Sequence, residues 1–309
     1  MTKQKYLEMF RDKAKGAMYG VAVGDALGAP LEFMSALEIK DKYGAEPVKE
    51  MLGGGWLQVQ PGETTDDTDM TLAVAEGLMA IPEEPPASAI VREVGDRFIA
   101  WYHTRPKDIG VTCKAVIEGA EQRKPYMSTH KAWMDSSEAY DKSSGHKSAG
   151  NGALMRTAPV GIVCRRPRIP AITIAEMTHW DNAACTLVAD YSQAIANLVR
   201  GASYYEIIDL QYKYNTAGHL NPTGYSFDSM RCALEAMSNA KPFEKALVMA
   251  VNMGGDADTI GAITGGLAGA WFGFGRIPER WVNALPAHIT ARLDAFVEWA
   301  VEREAKHYE

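Results

Sequence analysis

Apolar residues along this chain recur mainly at three- and four-residue intervals, the spacing that gathers them on one face of a helix. Residues 5–27 carry this period without a break, and Pro30 ends the segment. The same period predicts helices over 67–80, 90–103, 109–122, 151–164, 183–200, 226–238, 242–252, 259–273 and 286–305. No series of alternating strands competes with it. Short extended pieces fit only near 46–60, where Gly53, Gly54 and Gly55 break any helix. The stretch 123–147, RKPYMSTHKAWMDSSEAYDKSSGHK, is polar and irregular and reads as a surface excursion over a site. Pro82, Pro85 and Pro86 mark a turn, not a linker, and no internal repeat is visible. The pattern predicts an all-α fold, one compact domain spanning 1–309.

Composition narrows the function classes. With 309 residues the chain can bury a large core, and its 47% hydrophobic and 23% charged content is ordinary for a globular protein. The net charge of -7 leaves no global basic footprint for nucleic acid, so a nucleic-acid substrate is not indicated, though it stays open. Cys113, Cys164, Cys185 and Cys232 are widely spaced with no CxxC pair, which argues against a disulfide framework or a zinc site. The charged start, MTKQKYLEMFRDKAKG, lacks the apolar run of a signal peptide. The longest uncharged run, Thr259 to Gly275, spans 17 residues, is glycine-rich and follows two aspartates, so it reads as a buried helix and not a membrane span. A cytoplasmic location is the resulting expectation.

Two clusters carry the chemistry. Thr64-Thr65-Asp66-Asp67-Thr68-Asp69 opens the helical run MTLAVAEGLMA. A helix N-cap accounts for one or two of these residues, since acids suit the positive end of a helix. It does not account for three mutually repelling aspartates, each close pair costing roughly 1 kcal/mol in water and about 4 at an effective dielectric near 20. Gly254-Gly255-Asp256-Ala257-Asp258-Thr259 repeats the design before IGAITGGLAGAWFG. Residues two apart do not share a helix face, so Asp256 and Asp258 converge only if the chain is still non-helical there, which the glycines permit. A calcium loop of the EF-hand type is excluded, because its twelfth position would be Leu267 where a bidentate glutamate is required. If the clusters meet, four or more carboxylates face one another and need cations. Oxygen donors with no adjacent Cys or His favour Mg2+, Mn2+ or Ca2+ over Zn2+. Gly150-Asn151-Gly152, ahead of ALMRTAPVGIV, suits a phosphate approached by backbone N–H groups.

Five segments in order, GAMYGVAVGDALGAPLEF (16–33), TTDDTDM (64–70), SAGNGALMR (148–156), MTHWD (177–181) and GGDADTIGAITGGLAGAWFG (254–273), resemble the ADP-ribosylglycohydrolase family over nearly the whole chain. The resemblance implies a compact helical fold and a dinuclear Mg2+ or Mn2+ centre, two divalent cations in all. By it, Thr65, Asp66 and Asp67 match one set of metal ligands, and Asp256, Asp258 and Thr259 match the other. Glu32 matches the acidic residue on the loop bordering the metals and is the expected catalytic group; His179 and Asp181 match a segment bordering the ADP-ribose cleft. Asp25 reads as a supporting or buried hydrogen-bonded residue, Asp69 as an outer-shell group or a bystander, and Arg156 as structural. The implied reaction is hydrolysis of the ribose C1'' bond, releasing ADP-ribose from a protein or small-molecule acceptor. The competing readings are a non-catalytic ADP-ribose binder on the same fold and a metal-free carboxylate glycosidase. Retention of six ligand positions and Glu32 argues against the first, and threonine beside aspartate at both clusters argues against the second.

Overall fold

A computed structural model describes residues 1–214, 218–239 and 242–308. Fifteen α-helices run through them: α1 (Lys3–Gly28), α2 (Ala36–Tyr43), α3 (Asp66–Met79), α4 (Ala87–His103), α5 (Val111–Arg123), α6 (Thr129–Ser143), α7 (Ala158–Val163), α8 (Arg168–Glu176), α9 (Asn182–Val199), α10 (Tyr205–Tyr214), α11 (Ser226–Asn239), α12 (Phe243–Val251), α13 (Ala257–Phe272), α14 (Glu279–Ala284) and α15 (Ala287–Ala305). No strand occurs among the described residues; the stretch expected to be extended makes one isolated bridge, Gly54 to Val59. Among the described residues, no helix is long and apolar enough to cross a membrane.

The organising contact is between α1 and α13. Glycines recur every fourth residue on α1, at 16, 20, 24 and 28, and on α13, at 261, 265 and 269. Each set forms a stripe without side chains, so the two backbones touch. A Cβ added at Gly265 would lie 1.9 Å from the Gly20 carbonyl oxygen, and one at Gly24 would lie 2.0 Å from that of Gly261. Gly16 meets Gly269, Gly20 meets Gly265 and Gly24 meets Gly261, so the helices run antiparallel. This brings the end of α1, with Asp25, against the start of α13, with Asp258. Helix α13 is buried from Ala257 through Ala270, as its almost uncharged sequence requires. Around this pair pack α15, α3 and α9, while α7 and α8 pack on α9.

Two expectations need correcting. The stretch 123–147 is not an irregular excursion: it holds α6, N-capped by Ser128, whose side chain accepts from the Lys131 N–H. Its buried residues are Ala132, Trp133, Ser136, Ser137 and Asp141, all but Trp133 polar or small, which hides the period from a hydrophobicity reading. Ser136 donates to the Ala132 carbonyl, so burial leaves its hydroxyl satisfied. Trp133 packs edge-on against Phe98 of α4 at 6.1 Å. None of α6 lines the cavity described below. The helix expected over 151–164 is broken into a single 3-10 turn, Asn151–Ala153, and α7. Pro159, in the first turn of α7, lacks the N–H that a continuous helix would need there, so the helix restarts at it.

Candidate functional site

The two acidic clusters meet although 192 positions separate them. The Thr259 hydroxyl donates to Asp67 Oδ2 at 3.2 Å, and the Thr65 hydroxyl reaches the same oxygen at 3.4 Å. Gly254 and Gly255 hold φ of 76° and 64°, so the chain entering α13 is not yet helical. That lets Asp256 and Asp258 turn toward one point. Two triads have carboxylate oxygens all within 4.8 Å of one another: Asp25 with Asp67 and Asp258, and Glu32 with Asp256 and Asp258. Asp258 belongs to both.

Asp25 is the fully buried bracket of this assembly. Its carboxylate accepts from the Thr65 N–H at 3.0 Å, the Thr65 hydroxyl at 2.9 Å, the Thr68 N–H at 3.1 Å and the Thr68 hydroxyl. It therefore caps the start of α3 from another helix, in place of a local N-cap side chain. Burial pushes its carboxyl up to about 6, against the pull of those hydrogen bonds. Sequence reading left Asp25 outside the site; the one available signal was a lone charge in an otherwise apolar stretch of α1.

The remaining carboxyls are raised more strongly. Burial, then the charges of neighbouring acids, hold Asp66, Asp67 and Asp258 well above the ordinary carboxylate range. Burial and the charges of Asp108, Asp256 and Asp25 push Glu32 up to about 8. Among the described residues, two buried carboxylate oxygens have no partner, Glu32 Oε2 and Asp67 Oδ1. These orphaned oxygens, with the Thr65 and Thr259 hydroxyls directed at Asp67, match the oxygen donors a hard divalent cation takes, so the residues fit such an ion.

A cavity of about 450 Å3 opens over the cluster. Glu32, Asp66, Asp256 and Asp258 line it, together with Asp108, which sequence reading missed altogether. Burial raises the Asp108 carboxyl, opposed by a hydrogen bond from the Ile109 N–H. Asp108 lies in the loop between α4 and α5, where an isolated aspartate carries no pattern. No Lys or Arg is among the residues lining this cavity.

Gly150, Asn151, Gly152 and His179 line the same cavity. The Asn151 N–H is taken by the Gly224 carbonyl at 2.9 Å, and its side-chain amide donates to Asp256 Oδ2 at 2.7 Å and to Ser229. Asn151 thus orients an acid of the cluster, a contact that was not foreseen. His179 is buried, and a Cβ on Gly150 or Gly152 would lie 3.2 Å from its ring. Burial, then the Arg156 charge, lowers its imidazole to about 3, so it is neutral at any working pH. Arg156 is wholly buried, donating to the Ile174 carbonyl and to Thr178, whose hydroxyl lies 2.7 Å from His179 Nδ1. Asp181 caps α9, accepting from the Ala184 N–H at 2.8 Å. Asp69 accepts from the Trp101 indole at 3.0 Å and ties α3 to α4.

Comparisons with known proteins agree with this architecture. A family model described as ADP-ribosylglycohydrolase matches residues 7–309. The chain is 33% identical to the ADP-ribosyl-[dinitrogen reductase] glycohydrolase of Rhodospirillum rubrum, over 91% of this chain and 93% of the relative. It is 29% identical to an ADP-ribosylarginine hydrolase of Serratia proteamaculans, over 89% of this chain and 75% of the relative. A solved structure titled "ADP-ribosylglycohydrolase-related protein complex" superimposes with a TM-score of 0.75 at 29% identity, covering 96% of this chain and 99% of that one.

Proposed function

The chain belongs to the ADP-ribosylglycohydrolase family, and from that premise we propose a metal-dependent enzyme that hydrolyses the ribose C1'' bond of an ADP-ribosylated arginine. The acceptor is the one named for the Serratia relative. Two divalent cations, Mg2+ or Mn2+, fit the cluster, held by Thr65, Asp66 and Asp67 on one side and by Asp256, Asp258 and Thr259 on the other. When bound, they would supply positive charge for ribose hydroxyls and a more acidic water. The observation that carries the reading is the pair of carboxylate triads sharing Asp258, in a cavity lined by no Lys or Arg among the described residues. So many buried acids need compensating charge.

The chain's own groups divide the remaining work. Glu32 borders the reacting centre with one unpartnered oxygen and handles the proton that passes to or from the substrate. Asp25 holds Thr65 and Thr68 and so fixes the register of the first cluster. Asn151 aims Asp256. Gly150 and Gly152, lacking side chains, let the pyrophosphate lie close to the backbone beside neutral His179. The bond that breaks leaves oxocarbenium character on the ribose, as in glycoside hydrolysis generally, and the surrounding carboxylates suit developing positive charge.

The experiment is a panel of arginine-, serine- and nucleic-acid-linked ADP-ribose substrates, assayed with Mg2+, with Mn2+ and with EDTA. Release of ADP-ribose from the arginine-linked substrate, abolished by EDTA and restored by metal, is expected. Undiminished turnover in EDTA would remove the metal from the reading, and cleavage only of another linkage would replace the acceptor.

A further inference from the structure

Two large exposed aromatic rings stand together, Phe33 on the wall of the cavity and Trp56 against Phe33, and nothing in the hydrolytic arrangement uses them. Phe33 directly follows Glu32 and lines the cavity with it, yet it is 66% exposed. Trp56 is 68% exposed and meets Phe33 edge to face, with ring centroids 6.2 Å apart. Exposed aromatics scattered singly are unremarked surface; two in contact at the rim of a site are a binding feature.

Their positions are fixed by the backbone. The Phe33 N–H donates to the Gly255 carbonyl at 2.7 Å, and the Gly255 N–H donates to the Met34 carbonyl at 2.7 Å. The Glu32 loop is therefore stitched to the loop that carries Asp256. Phe33 holds φ of 63°, a left-handed conformation that a bulky residue adopts only when its surroundings impose it. Trp56 follows Gly55, whose φ of 70° and close approach to Pro30 admit no side chain: a Cβ there would lie 2.7 Å from the Pro30 Cα. Both rings are thus held by chain geometry in register with the acidic cluster, although no core packing covers them.

The chemistry of the mouth selects a ligand class. Ring faces carry negative charge density, and planar guanidinium groups stack on them. The adjoining cavity wall carries Glu32 and Asp108, neither assigned to a divalent cation, and among the described residues no Lys or Arg, so the wall also suits a cation. We propose that Phe33 and Trp56 form a clamp for a planar cationic acceptor group, the guanidinium of arginine, and so set which acceptor the enzyme releases. This rests on the proposed hydrolysis of ADP-ribosylated arginine and adds the residues that recognise the acceptor side.

The test separates the clamp from the reaction. Protein saturated with ADP-ribose and Mg2+ is titrated calorimetrically with N-acetyl-arginine methylamide and with the neutral citrulline analogue. The arginine compound is expected to bind and the citrulline compound not. Phe33→Ala and Trp56→Ala are expected to weaken arginine binding about 3- to 30-fold, the range spanned by exposed to desolvated cation–π contacts, while ADP-ribose affinity stays within about twofold. Trp56→Phe should recover most of the loss. On an arginine-linked peptide, KM should rise by the same factor with kcat nearly constant. Equal binding of the two compounds, unchanged arginine binding in the variants, or a parallel loss of ADP-ribose affinity would each overturn the clamp. If the wild type cleaves no ADP-ribosylated substrate, the hydrolase reading falls, and the arginine titration still decides the clamp.

Discussion

Replacing Gly265 by alanine tests whether the site rests on backbone contact between α1 and α13. The added Cβ would lie 1.9 Å from the Gly20 carbonyl oxygen, against a minimum near 3.0 Å that real Cβ atoms respect. The helices would have to part by about 1 Å, and the flanking contacts of Gly16 with Gly269 and Gly24 with Gly261 are equally tight. No flexible side chain can give way, because the obstacle is main chain. Overpacking of a core costs roughly 1–3 kcal/mol, and the upper end applies here. Alanine's better helix propensity returns up to about 1 kcal/mol. The net destabilisation is then about 2 kcal/mol, or a melting temperature lower by about 3 °C for a chain of 309 residues. The displacement would also move Asp258 away from Asp25, so Mg2+ should protect Gly265→Ala less than wild type. Thermal unfolding with EDTA and with Mg2+ reads both effects. Gly275→Ala is the control, since its Cβ would meet only Asp12 at 3.7 Å. If Gly265→Ala melts at or above the wild-type temperature while Gly275→Ala is neutral, the backbone contact is not what holds these helices.

Asp258→Asn should lower turnover at least about 100-fold, because it removes a charge common to both triads; steady-state rates at saturating Mg2+ check this, and a loss under tenfold speaks against ligation. Glu32→Gln should lower kcat while leaving Mg2+ stabilisation and ADP-ribose affinity intact, which calorimetry on the variant decides. In EDTA, stability should fall as pH rises from 6 to 8.5. Folding raises Glu32 from 4.5 to about 8 and Asp25 from 3.8 to about 6, so the folded state binds more protons and is favoured at lower pH. At about 1.4 kcal/mol per tenfold change in proton affinity, the loss is on the order of a few kcal/mol, and flat urea midpoints across this range would contradict it. Saturating the site with Mg2+ at 100-fold over Kd should restore about 2.7 kcal/mol at pH 8.5.

The sequence by itself determined the all-helical class and the two acidic helix starts. Both are local properties: helical period survives wherever the buried face is apolar, and crowded aspartates beside threonine are abnormal without any knowledge of contacts. It did not show α6, because Ser136 and Ser137 lie on the buried face and break its apolar period; for Ser136 a hydrogen bond to the Ala132 carbonyl, not hydrophobicity, makes burial tolerable. Nor did it show the break before α7, since apolar period runs across 151–164 while Pro159 sets where the helix restarts. Asp108 and Asp25 carry no local pattern. One enters the site because the loop between α4 and α5 lies against the start of α3, the other because glycine stripes let α1 and α13 touch. That Asp67 and Thr259 share a hydrogen bond across 192 positions is likewise a fact of packing. Sequence supplied the donors; only the tertiary structure could decide which of them share one buried volume, because proximity between distant residues is set by how helices pack and not by any pattern within a helix.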